Sequence, residues 1–363
     1  MFGPATRRRR MAPFLAFCRD GHQFDWRYDS HCGIEHFIMS RKVVYIINFL
    51  DVLVPLPCDL LPGIVLRRAS AKEIELISNF NRYTRGSSNG LEYHRYRVTF
   101  GKEGGASASL LSNPDLWRYY VLDYEGTEKP SGELGPRRLE VLERACLVAE
   151  ASMKWAVSSD AEPSRLGPPN WYHPTKNFVL RELWDVDVSG DVPQFTEGDV
   201  TEIQNLFSRL TALEEGQKVI PEAIEAFSNV HMIPHGSDFH LLALFSTIEF
   251  LVTHKPTGSE LGDGLTRQIK TKLPLLSKRF RQKVDHSAYF AAMPEDKCWE
   301  ILYSYRSAIA HGASRDFKSA YKQGGFSELK SRRAVLRFLR LFTRRLLGHA
   351  VIEPTLVLDL KKC

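Results

Sequence analysis

Tyr303-Ser304-Tyr305-Arg306-Ser307-Ala308-Ile309-Ala310-His311-Gly312 reads as the end of a helix. Pro294, Glu295 and Asp296 mark its start, with a proline and two acids in the first turn. Trp299, Leu302, Tyr303, Arg306, Ile309 and Ala310 then recur at helical spacing. Gly312 is suited to stop the helix, because glycine accepts the left-handed conformation at a helix end. Arg306 and His311 are five positions apart, roughly 140° around a regular helix. The two side chains diverge unless the helix relaxes at His311 and frees the imidazole to swing beside the guanidinium.

Together these two groups carry a specific chemistry. Histidine gains and loses a proton near neutral pH. Arginine keeps its charge and offers a planar fork that matches phosphate. One proton shuttle beside one phosphate clamp is the minimum needed to cleave RNA without metal. The imidazole takes the proton of a ribose 2′-hydroxyl, which attacks its own phosphate, and the guanidinium steadies the charge on the phosphorane oxygens. The leaving 5′-oxygen also needs an acid, and two chains meeting at this helix supply a second histidine.

The motif Arg306-x4-His311-Gly312, with polar Ser307 after the arginine, resembles the Arg-x4–6-His signature of HEPN ribonucleases. The surroundings look most similar to the ApeA-like branch of prokaryotic defence proteins. There an upstream helix reads like Leu241-Leu242-Ala243-Leu244-Phe245-Ser246-Thr247-Ile248-Glu249-Phe250-Leu251. A basic amphipathic segment like that at 265–276 follows, then the Leu-Tyr-x-x-Arg-Ser-x-x-x-His-Gly block. The resemblance covers residues 196–350. It implies a metal-independent endoribonuclease with no cofactor, acting on RNA as a homodimer, in antiphage defence or toxin-like growth arrest. His311 would carry acid/base chemistry and Arg306 phosphate stabilisation, with Ser307 holding the pair in place.

Composition agrees with a globular chain. Of 363 residues, 43% are hydrophobic and 25% charged, enough for two domains. The six cysteines are scattered without close pairing, which suits reduced thiols and a cytoplasmic protein. The longest apolar run, Val43 to Val54, contains Asp51 and is too short to span a bilayer, so no membrane association is expected. Arg7 to Arg10 are not followed by an adequate apolar stretch for a signal peptide. The net charge of +6 is uneven: residues 1–42 carry +4 and residues 315–349 carry +8. Positive charge is therefore concentrated just after the Arg-His motif, where a polyanion would lie.

The expected architecture is α+β in two domains: an N-terminal mixed α/β unit, then an all-α HEPN-type bundle. Residues 1–40 form a loose basic arm. Cys18, His22, His31, Cys32 and His36 there match no strong zinc spacing, and no metal site is assigned. Residues 41–190 form the α/β unit. Strands are expected from Val43 to Leu50, at 63–68, from Tyr93 to Phe100, from Trp117 to Tyr124 and from Phe178 to Val188. Pro55, Pro57 and Pro62 break the chain between the first two. Residues 101–113 and 157–177 are read as connections. Ser70 and Glu73 form a capping box, and Glu140 to Trp155 is an amphipathic helix. Two roles are open for residues 41–190: sensing a phage component or small molecule that triggers the bundle, or a purely structural cover.

The bundle runs over residues 196–350, after a boundary at 189–198. Asp199 caps its first helix, Val219 to Val230 form the second, and Ser237 or Asp238 caps the third. Glu249 in that third helix sits among apolar neighbours, so it either pairs with Arg306 or faces solvent. Arg267, Lys270 and Lys272, with Lys278, Arg279, Arg281 and Lys283 beyond, are candidate phosphate contacts. The last large helix, about 327–347, has a core stripe of Val335, Phe338, Leu339, Phe342 and Leu346. Arg333, Arg337, Arg340 and Arg344 repeat along it as one basic stripe, a candidate RNA track. The apolar tail at 351–363 is expected to pack back as a strand. The alternative function is a non-catalytic dimerising or RNA-binding module beside a ligand-sensing N-terminal unit.

Overall fold

Strand β1 (Arg41–Ile47) is built from β-branched and aromatic residues that suit a pleated surface. In the computed structural model it pairs antiparallel with β7 (Tyr120–Gly126) on one side and β8 (Trp155–Asp160) on the other. β4 (Ile64–Arg68) extends the sheet from β7, and β3 (Cys58–Leu61) from β4. The order is β3-β4-β7-β1-β8, antiparallel throughout. Two small pairs accompany it: β2 (Asp51–Val52) with β9 (Gln194–Phe195) in parallel, and β5 (Tyr96–Phe100) with β6 (Ala106–Leu110) as a hairpin. The structure describes residues 41–47, 50–75, 95–100, 106–126, 134–151, 153, 155–160, 194–230, 233, 237–255, 264–290, 293–312 and 332–363.

Several expectations change here. Pro62 does not simply break the chain. With Gly63 at φ 79° it reverses it between β3 and β4, where proline fixes one turn position and glycine accepts the positive φ of the next. The connection at 101–113 carries β6. Helix α1 spans Leu134–Val148, not Glu140 to Trp155. Leu142, Cys146, Ala149 and Met153 are all buried, but only the first two lie in the helix, and Trp155 opens β8. Residues 157–160, read as loop, belong to that strand. The capping box is present: Ser70 N donates to Glu73 Oε2 at 2.7 Å and Glu73 N to Ser70 Oγ at 3.3 Å.

Seven longer α-helices follow: α2 (Glu197–Thr211), α3 (Val219–Val230), α4 (Asp238–Val252), α5 (Leu265–Ser277), α6 (Glu295–Ala310), α7 (Arg332–Ile352) and α8 (Pro354–Lys362), with a one-turn helix at Ser287–Phe290 between α5 and α6. The cap of α2 is Thr196, with Asp199 three residues inside and accepting from Thr196 N at 2.7 Å. Ser237 caps α4, its hydroxyl accepting from Phe239 N. Pro274 is carried inside α5 without ending it. The tail is helix α8 rather than a strand, with Pro354 at its first position.

Helix α7 is the central packing element. It touches α1, α2, α3, α4 and α8, and its expected stripe of Val335, Phe338, Leu339, Phe342 and Leu346 is wholly buried. Phe338 and Phe342 stack against Trp299 of α6 at 5.5 and 4.5 Å between ring centroids. Sheet and helices share one apolar core, and Ser40–Cys363 form a single compact unit. Polar ties cross between them as well: Gln204 Nε2 donates to Leu60 O at 3.1 Å, and Arg345 pairs with Glu150. The chain is thus mostly helical with a small sheet, an α+β composition. Among the described residues no helix is long and apolar enough to cross a membrane.

The arm at 1–40 with its cysteines and histidines, the strand expected over 178–188 and most of the loop at 157–177 lie outside the described residues.

Candidate functional site

The C-terminal end of α6 sits against the end of α4. Pro294 is the N-cap of α6, Cys298 N donates to Pro294 O at 2.9 Å, and the buried Trp299, Leu302, Tyr303 and Tyr305 hold the helix to the core. The helix closes as its sequence implies. His311 has left helical geometry at φ −92° and ψ 10°, and Gly312 takes φ +67°. His311 N donates to Ser307 O at 3.1 Å, and Gly312 N to Ile309 O at 3.0 Å. Both residues are exposed.

Arg306 and Glu249 meet. Arg306 Nη2 donates to Glu249 Oε2 at 2.9 Å, and the side chains retain 23% and 15% of their surface. Of the two outcomes open for Glu249, pairing is the one realised. The guanidinium also lies 5.6 Å from the Tyr303 ring centroid, and Tyr303 packs edge-on against Phe245. Burial, with the Glu249 charge beside it, pushes the Tyr303 phenol up to about 12, so this ring stays neutral. The pair is joined by one bond: Arg306 Nε and Glu249 Oε1 are buried without hydrogen-bond partners. Arg306 therefore arrives fixed in direction, still touching solvent, and about a turn and a half before an exposed imidazole. Among the described residues no hydrogen bond links Arg306 to His311, or the Ser307 hydroxyl to either.

The other predicted contacts scatter. Arg267 is exposed at the start of α5. Lys270 pairs with Glu300 of α6 at 2.8 Å, and this lysine, with Lys297, holds the Glu300 carboxyl below its usual range. Lys278, Arg281 and Lys283 are exposed, while Arg279 is bound to Glu353. Lys272 is a correction. It is buried, and its Nζ donates to Val252 O, Gln268 Oε1 and Lys361 O at 3.1, 3.1 and 3.4 Å. Its cation gathers carbonyls from the C-terminal ends of α4 and α8 and faces no solvent.

The arginine stripe of α7 is also not a single exposed track. Arg337 is half-buried, and the side chain of Arg333 lies outside the described residues. Arg340 is turned inward onto the buried His240, with Nε and Nη2 at 3.1 and 2.9 Å from its Nε2. Arginine only donates, so His240 Nε2 accepts, and Nδ1 carries the proton toward Ile233 O at 3.2 Å. Burial lowers the pKa of Arg344, whose Nε has no partner. The periodicity is real, but α7 is surrounded by helices, so an arginine stripe along it is partly an interior feature.

No protein-family model, no curated protein and no solved structure matches the chain. The geometry of the site therefore carries the functional reading. Sequence reasoning missed the clamp at the ends of α4 and α8, where His254 Nδ1 meets Lys361 O at 2.9 Å and Lys361 Nζ meets Phe250 O at 2.6 Å. Its signal was slight: one histidine and one lysine with more than a hundred residues between the partners. Among the described residues no cluster of three or more His, Cys, Asp or Glu is placed to hold a metal ion.

Proposed function

We propose that this chain is a metal-independent endoribonuclease of the HEPN type, acting as a homodimer in antiphage defence or toxin-like growth arrest. The observation that carries the reading is the end of α6: an exposed His311 beyond an Arg306 whose guanidinium is aimed by Glu249. His311 removes the 2′-hydroxyl proton, and O2′ attacks the adjacent phosphorus. Arg306 accepts the growing charge on the non-bridging oxygens. The P–O5′ bond breaks, and the leaving oxygen takes a proton from the same histidine of a second copy. The products are a 2′,3′-cyclic phosphate and a 5′-hydroxyl.

The test uses purified protein with RNA in EDTA. Wild type should cut and leave cyclic-phosphate ends. His311→Ala should lose cleavage with an unchanged unfolding transition, since the ring is exposed. Cleavage that requires added metal rejects the mechanism.

A second reading rests on the same ion pair. Arg306 is already neutralised by Glu249 and partly buried, which equally suits a non-catalytic dimerising or RNA-binding module. In that case His311→Ala would keep its full effect on a bacterial host, whereas charge reversal at exposed Arg267 and Arg281 would remove it.

A further inference from the structure

A cleft opens at the N-terminal sheet, away from α6. It holds about 340 Å3 and is lined by Val52, Val54, Leu56, Pro57, Arg67 and Arg68. Its volume falls at the small end of ligand-binding pockets, and apolar walls with one or two placed polar groups are their usual composition.

The two arginines differ in what remains to them. Arg67 is used up by carboxylates: Glu73 accepts from Nη1 and Nη2 at 2.9 and 2.8 Å, and Asp123 from Nε at 2.7 Å. Arg118 nearby pairs with Asp51 at 3.5 Å. Among the described residues Arg68 has no carboxylate partner. Its Nη1 donates to two backbone carbonyls, Asp115 O at 2.7 Å and Trp117 O at 3.3 Å. Its guanidinium also lies 5.7 Å from the ring centroid of Tyr120, its partner in the β4–β7 register. One corner of the guanidinium is thus anchored, while among the described residues Nε and Nη2 have no hydrogen-bond partner. Those two donors form an edge that a carboxylate or phosphate accepts as a pair, with little orientation left to lose.

We propose that this cleft binds a small amphipathic anion: an aliphatic chain of moderate length ending in one carboxylate or phosphate. The chain lies against Val52, Val54 and Leu56, and the head group bridges Nε and Nη2 of Arg68. None of the described lining residues is aromatic, which favours an aliphatic body over a stacked base. One unneutralised cation calls for a single anionic head. The site does not depend on the nuclease reading.

Isothermal titration of the full chain tests it with octanoate, octyl phosphate, octanol and octylamine as probes. Either anion should bind saturably at one site, and comparing the two identifies the preferred head. Octanol should bind about tenfold more weakly or worse, from the loss of charge-assisted bonds. Octylamine should not bind. Arg68→Gln should reduce the anion to the affinity of octanol, and Leu56→Glu should repel it from the cleft wall. If Arg68→Gln fails to fold, Leu56→Glu still gives the reading. Equal binding of octanol and both anions, unchanged affinity in the variants, or no saturable anion binding each overturns the proposal.

Discussion

Arg306 Nη2 and Glu249 Oε2 lie 2.9 Å apart and tie the closing turns of α6 and α4. The pair is neither surface nor core, so its worth falls between the two regimes. Exposed pairs contribute under about 1 kcal/mol, and breaking a buried pair costs about 3–5 kcal/mol. Glu249→Ala leaves the guanidinium without its partner, and a loss of about 1–3 kcal/mol is expected in urea unfolding. Arg306→Ala should cost a similar amount by orphaning the carboxylate. The double variant should recover part of the sum, because the two losses share one interaction. Strict additivity would show that the pair contributes nothing. In the nuclease assay Glu249→Gln should lower cleavage by misdirecting Arg306, with less damage to stability than Glu249→Ala.

Gly312 takes φ +67°, and a Cβ built on it meets nothing within 4 Å. Any penalty for a side chain there is therefore backbone strain alone. Gly312→Ala should cost about 1 kcal/mol, and Gly312→Asn less, since asparagine tolerates the left-handed region better. Thermal unfolding of the two variants gives the comparison. Equal stability of alanine and glycine would mean that the helix end readily rearranges. Because His311 precedes this residue, the same ranking is expected in RNA cleavage.

Lys272 lies in a basic segment that suggests a surface cation, and it is instead an interior cap. Lys272→Met keeps most of the apolar stem but removes the donor to Val252 O; Gln268 Oε1 and Lys361 O lose the same donor but keep His254 N and Nδ1. A buried acceptor without a partner costs about 1–3 kcal/mol, and a loss in that range is expected in denaturant unfolding. RNA affinity and its salt slope should not change, whereas an exposed phosphate contact would lower that slope by about one. A reduced slope with intact stability would return Lys272 to the RNA-binding surface.

These residues show what the sequence could reveal. Local chemistry was legible: the Ser70–Glu73 capping box, the Ser237 cap, the Gly312 stop and the Glu249–Arg306 option all depend on spacings of a few residues or on one apolar stripe. The stripe of α7 was legible for the same reason. Its arginines were not, because periodicity gives the face of a helix but not how many neighbours cover it. Arg340 points to a buried His240 only because α4 packs there. The tail misread as a strand illustrates another gap: a short apolar run does not separate helix from strand, and Pro354 as a first helical residue was the overlooked cue. Strand β6 was hidden by its small residues, Ala106-Ser107-Ala108-Ser109, which carry little strand preference of their own.

His349 gives a pH dependence with a definite sign. The ring is buried in α7, 5.7 Å from Phe280 by centroids, and its Nε2 has no hydrogen bond. Burial lowers its pKa, opposed by Glu353 at 4.0 Å and reinforced by Arg279. The neutral ring is therefore the folded form, while the unfolded chain takes up a proton at about pH 6.5. Between the two values the unfolded state binds more protons, so stability falls as pH falls. The contribution is whole above about pH 6.5 and is lost below it, until the folded-state value is passed, with a slope of at most about 1.4 kcal/mol per pH unit. Urea unfolding from about pH 7.5 down to about pH 5 measures it. His349→Gln removes the titrating group, so its stability should decline less over this range than that of wild type. Parallel curves for the two proteins would assign the acid sensitivity to the carboxylates instead.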